Sequence, residues 1–348
     1  MDKNHVRQHV LEIVKDLRKQ GLSKYNTNTS RIVNDTIKKV KLKRVIIGLN
    51  TPGCSYGKNL EGCFHCGYLK GYGHLNNMYN QFLEDLKQYA GQDTIYLYSN
   101  GSFFDPEEIP HKLQKKMLMH LVDSGFKRII VETRPDFIYE AHLNDLLKSI
   151  PSHYLKIGLG FDTYNNDIRD VCLNKGFTRY QYDDAARILN KNEIIFETRI
   201  VLKPPFLTED EAIKEALLSI EHAFKKGSNE VSLEPLAIQD YTLQDYLRKK
   251  GFYRVPWLWS VISIIRDVHY KGRTVVGGEA FLPLPKEIAH NCNKCSDSIW
   301  QAIDNFNKTQ DIILFDSFDC DCIEDWKKDL NTKDIALFNR IMDNINGE

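Results

Sequence analysis

The stretch RVIIGLNTPGCSYGKNLEGCFHCGYLKG, residues 44–71, joins a short apolar run to a loop that carries three cysteines. The β-branched run at 44–50 predicts a buried strand, because such residues fit the pleated surface of a sheet. Directly after it come Cys54, Cys63 and Cys66, with eight residues between the first two and two between the last two. Chemistry in α/β proteins concentrates where parallel strands end and loops begin. The sequence therefore predicts a metal site at the carboxyl end of a strand.

Apolar runs of the same kind recur downstream and alternate with longer amphipathic segments, as in repeated βα units. This pattern predicts a parallel sheet, either doubly wound or curled into a full or partial barrel. We interpret residues 1–42 as an N-terminal helical extension, residues 43–283 as the βα body and residues 284–348 as a metal-binding helical tail. The further predicted strands are TIYLYSN (94–100), RIIVETR (128–134), YLKIGLGF (154–161), IIFETRIVL (194–202), EVSLEP (230–235) and TVVGG (274–278).

Composition excludes a disordered or fibrous chain, since 42% of the 348 residues are hydrophobic and 27% are charged. No stretch approaches the ~20 uncharged apolar residues that cross a bilayer, and the first residues have the pattern of a charged amphipathic helix rather than a signal peptide. We therefore expect a cytoplasmic protein with no membrane partner.

The balance of charge bears on the class of substrate. Lys plus Arg equals Asp plus Glu at 47 each, so the chain lacks the strong positive charge of a protein that binds nucleic acid unaided. The one dense basic run is KKVKLKR (38–44), where Val40 and Leu42 alternate with lysines. That alternation is typical of a strand edge as much as of a phosphate-binding track. A polyanionic substrate would need this patch or a partner protein.

Three cysteines in the first loop are an incomplete ligand set for ordinary metal sites. Structural zinc takes four protein ligands, and an ordinary cubane iron–sulfur cluster takes four cysteines. Cys54, Cys63 and Cys66 therefore favour a cluster with one open iron. His65 offers the alternative, because it would complete a zinc site of three cysteines and one histidine.

The tail carries a second group of thiols, in two close pairs separated by about one helix. Four cysteines paired in this way suit tetrahedral zinc, while an auxiliary iron–sulfur cluster is the competing interpretation. His290 is a further ligand candidate, although a loop position explains it more simply, and Cys172 stands alone and is interpreted as a packing residue. The paired thiols are Cys292, Cys295, Cys320 and Cys322.

Five motifs in the same order carry a resemblance to a known family. The chain resembles the radical S-adenosylmethionine (SAM) superfamily, with an atypical cysteine spacing like that of the Elongator catalytic subunit. It is most similar to the archaeosine synthase radical SAM subunit family, and the resemblance runs from about residue 45 to the C terminus. The motifs are CFHCGY (63–68), YSNGSFFDP (98–106), GFDTYNNDIRD (160–170) with NKGFT (174–178), LKPPFLTEDEA (202–212) and YRVPWLWS (253–260).

The resemblance implies a radical SAM type (βα) barrel, full or partial, and assigns the first cysteine group. Cys54, Cys63 and Cys66 would bind a [4Fe-4S] cluster whose open iron takes SAM, which is then cleaved reductively to give a 5′-deoxyadenosyl radical. Ser99, Asn100, Gly101 and Ser102 would contact the methionine amine of SAM, and an ordinary strand-to-helix turn is the alternative for each.

Other strand ends supply the remaining candidate residues. Glu132 and Arg134 suit the charged amino-acid end of SAM or would pair with each other, and Asp162 suits the ribose hydroxyls, although the family more usually has Glu there. Lys203 precedes a rigid two-proline turn and is predicted as a catalytic residue, with a solvated lysine as the alternative. Glu234, Gln239 and Thr242 would face the substrate or form a polar loop, and Glu279 would lie near the adenine or the substrate.

By the same resemblance, the reaction would cleave a lysine adduct on a 7-deazaguanine base in tRNA to leave archaeosine. A partner subunit would attach the lysine first, and a ferredoxin or flavodoxin would donate electrons. Two alternatives stay open: radical chemistry on a small molecule or peptide, and a zinc-binding scaffold without catalysis.

Overall fold

The computed structural model describes most of the chain. Lys38, Lys39 and Glu279 lie outside the described residues, as do the side chains of residues 40–43, so the predictions made for the basic run and for Glu279 are not addressed. The described ranges are 2–21, 30–37, 40–68, 73–89, 92–277, 285–332 and 335–347.

Within the described residues, eight strands form one sheet in the order β1 to β8. The first pair, β1 and β2, is antiparallel, and the seven strands from β2 to β8 run parallel and curl into a half-barrel. The predicted partial barrel is thereby confirmed. The strands are β1 (Ser30–Ile37), β2 (Val40–Gly48), β3 (Thr94–Tyr98), β4 (Arg128–Thr133), β5 (Leu155–Asp162), β6 (Ile195–Leu202), β7 (Glu230–Pro235) and β8 (Arg273–Val276).

The helices follow the strands in the alternation that the sequence predicted. Helices α5 (Arg179–Lys191) and α6 (Glu209–Lys225) both begin with a capping box, in which Thr178 and Gln181, or Thr208 and Glu211, satisfy each other's free backbone N–H groups. The helices of the βα body are α2 (Leu75–Lys87), α3 (His111–Asp123), α4 (Glu140–Leu147), α5 (Arg179–Lys191), α6 (Glu209–Lys225), α7 (Leu243–Lys249) and α8 (Leu258–Val268).

Both ends of the chain pack against this body. Helix α1 (Lys3–Gln20) is the predicted N-terminal helix, and it contacts the last helix, α11 (Leu337–Asn346). The tail also contains α9 (Ser296–Thr309), which packs on β8 and β1, and α10 (Ile323–Leu330), which packs on α6. Strand β1 was not predicted, since residues 1–42 were interpreted as an N-terminal helical extension. It pairs with residues 40–47 of β2 and thus covers an edge that would otherwise be open.

The two faces of the sheet differ in chemistry. One face is apolar and buried against the helices, with residues such as Val45, Leu97 and Val131 fully inaccessible. The opposite, concave face carries charged and aromatic side chains, among them Tyr96 and Arg199, which hydrogen-bond to each other across the sheet. None of the helices in the described ranges combines the length and the apolar character that a bilayer crossing requires.

Candidate active site

The three-cysteine loop follows β2, as predicted. Gly53 adopts a left-handed backbone (φ 111°) and turns the chain into Cys54, and a short 3-10 segment (Ser55–Leu60) leads on to Cys63 and Cys66. Cys63 is buried and the other two are partly so. Burial and the charge of Glu108 raise the pKa of Cys54 to about 12. Burial and the charge of Cys63 raise the pKa of Cys66 to about 11. Thiols in such surroundings become thiolates when a cation is bound to them.

These three cysteines do not form a ready single-ion site. Among the described residues, only the tail brings three or more His, Cys, Asp or Glu ligand atoms within 4.8 Å of one another. His65, the alternative fourth ligand, is therefore not assembled with Cys54, Cys63 and Cys66 around one ion. Burial and the charge of Lys175 lower the pKa of His65 to about 4, so its ring is neutral.

We call the three-cysteine loop, residues 49–68, the cluster loop. An arginine from the N-terminal helix hydrogen-bonds to its backbone. Arg18 is only 2% exposed, and its Nη1 donates to the carbonyl of Leu60 at 3.0 Å and to that of Glu61. Its Nη2 donates to the carbonyl of Cys63 at 2.6 Å and lies 3.5 Å from that of Cys66. One buried guanidinium therefore fixes the backbone of the loop and leaves the cysteine sulfurs to other partners.

Sequence reasoning missed Arg18, although a signal was present. In α1 the buried stripe is formed by Val6, Val10 and Val14, at intervals of four residues, and Arg18 is the next member. A charged residue that continues an apolar stripe has to find buried partners, and here those partners are the carbonyls of the cluster loop.

Other segments hold the same loop from the side. Asn174, which follows β5, accepts hydrogen bonds from Arg7 of α1 at 2.6 and 3.0 Å and donates to the carbonyl of Gly62 at 2.9 Å. After β7, Gln239 donates to the Tyr68 hydroxyl at 2.6 Å. Gln239 was predicted to face the substrate, and the structure places its amide against the cluster loop.

The turn after β3 packs directly on Cys54. A Cβ added at Gly101 would lie 2.7 Å from the Cβ of Cys54, so glycine is needed for this close approach. Glu108 secures the turn, because its carboxylate accepts from the Gly101 amide at 3.0 Å, the Ser102 amide at 2.8 Å and the Thr51 hydroxyl at 2.7 Å. Burial raises the pKa of Glu108 to about 7.

Asn100 provides the test of whether SAM fits beside this turn. It is 6% exposed, and among the described residues neither its amide nitrogen nor its amide oxygen has a hydrogen-bond partner. Buried polar groups in native proteins are normally paired, so an unpaired amide beside the cysteine loop suits a polar ligand. Two neighbouring residues predicted to contact SAM have other surroundings. The Ser102 hydroxyl accepts from the backbone N–H of Arg134 at 3.1 Å, and Ser99 is half-buried.

Asp162 ends β5 with a left-handed backbone (φ 65°) and lies 2.5 Å from the ammonium of Lys175. Burial opposes ionisation of Asp162, but Lys175 holds its pKa below the usual value. Lys175 is in the NKGFT motif and is a buried site residue that sequence reasoning did not select. The pair presents an ionised carboxylate, which can accept hydrogen bonds from hydroxyl groups.

Glu132 and Arg134 do not pair with each other. Arg134 forms a two-point ion pair with Asp136 at 2.9 and 3.0 Å and lies over the ring of Tyr56, in the cluster loop, at 4.2 Å. Glu132 points to the concave face, where Arg199 lies 2.6 Å from it. Of the two residues predicted to hold SAM, only Arg134 is placed against the cluster loop.

Lys203 follows β6 with a left-handed backbone (φ 62°) and is buried. Its ammonium lies 2.6 Å from Glu209, and its carbonyl accepts from the Tyr253 hydroxyl at 2.8 Å. Glu234, at the end of β7, lies on the concave face and accepts from the Ser232 hydroxyl at 2.7 Å.

The tail cysteines are brought together as a compact group. Cys292 lies 3.6 Å from Cys295 and 3.5 Å from Cys320, and Cys295 lies 3.6 Å from Cys322, measured between sulfurs. The Trp259 indole N–H donates to the Cys322 sulfur at 3.3 Å, which ties the group to α8. His290 instead contacts Glu287 at 3.0 Å.

The half-barrel, with the three-cysteine loop at the end of its first parallel strand, agrees with the radical SAM type barrel that the resemblance implied. The chain has a TM-score of 0.50 with the solved structure of methylornithine synthase, at 14% identity, over 79% of this chain and 74% of that one.

The chain is 28% identical over 324 residues to archaeosine synthase subunit beta of Methanosarcina acetivorans, covering 89% of this chain and 91% of the relative. The subunit of the same name from Thermococcus kodakarensis is 27% identical, over 81% and 90%. No family model matches the chain. The predicted resemblance is confirmed.

Proposed function

We propose that this chain is a radical SAM enzyme of tRNA modification, which cleaves a lysine adduct on a 7-deazaguanine base to leave archaeosine. The observation that carries the proposal is similarity along nine-tenths of the chain to a protein named archaeosine synthase subunit beta. The radical SAM type fold and the clamped three-cysteine loop support it.

The chain's own residues would prepare the site. Cys54, Cys63 and Cys66 would hold a [4Fe-4S] cluster, and with SAM bound it would supply a 5′-deoxyadenosyl radical that abstracts a hydrogen atom from the substrate. Asn100 offers both a donor and an acceptor to the polar end of SAM. Asp162, kept ionised by Lys175, would accept from the ribose hydroxyls.

The residues predicted as catalytic would then divide into two kinds. The ammonium of Lys203 is engaged by Glu209 and the amide of Gln239 by Tyr68, which favours positioning roles for both. Glu234 stays a candidate for direct contact with the substrate. We propose that a ferredoxin or flavodoxin donates the electron.

The word subunit in the relatives' name supports a partner for this chain. With a formal net charge of zero, the chain has no excess of positive charge with which to hold tRNA. A partner subunit that attaches the lysine would also supply most of the phosphate contacts.

In cells that lack the gene, we expect tRNA without archaeosine and with an accumulated lysine-bearing precursor. Mass spectrometry of digested tRNA nucleosides measures both. Wild-type sequence should restore archaeosine, whereas Cys63→Ala should not. An unchanged nucleoside profile would overturn the tRNA substrate and favour a small molecule or peptide.

For the tail, we propose a single zinc ion held by Cys292, Cys295, Cys320 and Cys322. Zinc–sulfur bonds of about 2.3 Å in a tetrahedron place the sulfurs about 3.8 Å apart, close to the separations in the structure. A cubane cluster places each cysteine on a different iron and needs a wider arrangement. A structural zinc would fasten α9 and α10 to α8.

We expect about one zinc per chain in addition to the iron of the first site. Replacement of one zinc ligand, Cys320→Ser, should remove the zinc and lower the stability by about 3 kcal/mol or more, with iron unchanged. Asp321→Asn, an exposed neighbour in the same loop, should keep the zinc. Elemental analysis with thermal unfolding measures these effects, and additional iron in place of zinc would contradict the assignment.

A further inference from the structure

The concave face carries a row of charges that the cysteine loop does not use. Arg199 of β6 stands between Glu132 of β4 and Glu234 of β7, with nitrogen–oxygen distances of 2.6 and 3.5 Å. Each of the three side chains is about one quarter exposed, at 24%, 25% and 23%. The row is therefore accessible from the inside of the half-barrel, unlike an ion pair sealed in a core.

Other charged groups on the same face are already paired. Lys156 contacts Glu197 at 2.5 Å and Glu230 at 3.1 Å, and Arg273 contacts Glu230 at 2.8 Å. These two cations are thus directed to Glu197 and Glu230. In the row itself, the Arg199 guanidinium is shared by two carboxylates, Glu132 and Glu234, and also reaches Glu197 at 3.2 Å.

Glycines keep the space around the row free of side chains. Gly158 and Gly160 of β5 are the register partners of Glu132 and Arg199. A Cβ at Gly160 would meet nothing closer than 3.9 Å, so open space adjoins Arg199. A Cβ at Gly277 would lie 2.0 Å from the Glu234 carboxylate, so this carboxylate has room only because residue 277 is glycine. The stacked rings of Tyr96 and Tyr98, 4.1 Å apart, lie beside the row.

From this row we infer a binding site for a zwitterionic amino-acid group, with Glu132 and Glu234 for its ammonium and Arg199 for its carboxylate. Alternating carboxylate, guanidinium and carboxylate groups match the two opposite charges of such a ligand, and Arg binds carboxylates through two parallel hydrogen bonds. The inference rests on the proposed function: whichever of its amines is bonded to the base, a lysine adduct keeps one ammonium and one carboxylate. Glu132, predicted to hold SAM, is thereby assigned to the substrate.

The test compares adducts with and without each charge on the reconstituted enzyme and its tRNA-binding partner. Three tRNA substrates carry lysine, cadaverine, which lacks the carboxylate, or 6-aminohexanoate, which has no second amine. Glu234→Gln should lower kcat/KM for the lysine adduct about 30-fold or more, but that for the 6-aminohexanoate adduct only slightly. Arg199→Gln should show the converse selectivity, with the cadaverine adduct least affected.

SAM affinity separates this inference from a role in cofactor binding. Glu132→Gln and Glu234→Gln should bind SAM as wild type does, and an increase in the Kd for SAM in Glu132→Gln would overturn the assignment. Equal losses on all three adducts, or no loss, would also overturn it. If wild type cleaves none of the three adducts, the proposed function fails instead. Should Arg199→Gln unfold, Glu234→Gln still decides the outcome.

Discussion

Replacement of Cys63 by alanine is expected to abolish 5′-deoxyadenosine formation from SAM. Cys63 is the buried member of the three-cysteine loop, and with two remaining thiolates the loop cannot hold a four-iron cluster. Anaerobically reconstituted wild type should contain about four irons per chain in this site, and the variant close to none. Iron analysis and chromatography of the reaction products measure the two effects separately.

The matched control is Cys172→Ala, which removes a buried thiol far from any other cysteine in the sequence. Cys172 is fully buried, so the variant should lose about 1 kcal/mol of stability while it keeps its iron and its 5′-deoxyadenosine formation. If Cys63→Ala retained the iron, or Cys172→Ala lost it, the assignment of the three-cysteine loop would be wrong.

Replacement of Arg18 by methionine is expected to loosen the cluster loop without touching a cysteine. The change removes hydrogen bonds to the carbonyls of Leu60, Glu61 and Cys63 and leaves them buried without a donor. Hydrogen bonds from charged groups contribute about 1.5–3 kcal/mol each, so we expect a loss of about 3–5 kcal/mol in the free energy of unfolding. The iron content after gel filtration should fall together with the free energy of unfolding.

Lys19→Met is the control for Arg18, since it makes the same change one residue further along α1. Lys19 is exposed and forms a surface ion pair with Asp16 at 2.8 Å, so its loss should change stability by less than about 0.5 kcal/mol. Denaturant unfolding of the two variants measures the difference. Equal stability and iron content in Arg18→Met and wild type would contradict the role of α1 as a support for the loop.

Local patterns were sufficient to predict the parallel strands, and β7 begins and ends at the predicted residues. Strand β1 was missed because residues 1–42 were interpreted as a helical extension, although Ile32, Val33, Thr36 and Ile37 give it a β-branched composition. The ion pair of Glu132 and Arg199 was missed for a different reason. These residues lie on strands that are not neighbours, and they meet because Gly158 on the strand between them has no side chain. Such contacts depend on register, which one-dimensional spacing does not give.

The candidate site also contains residues that the sequence could indicate and residues that it could not. The cysteines follow a strand end and were selected from position and spacing, whereas the turn at 99–102 was selected through the family resemblance. Arg18 and Lys175 could not be predicted, because their roles depend on which backbone carbonyl or carboxylate the folded chain brings beside them.

The most direct test combines the anaerobically reconstituted chain, a lysine-transferring partner, SAM, a reductant and tRNA that carries the lysine adduct. We predict that 5′-deoxyadenosine and archaeosine rise together in comparable amounts and that neither forms with Cys63→Ala. No 5′-deoxyadenosine, or 5′-deoxyadenosine with the adduct left intact on the tRNA, would contradict the proposed function.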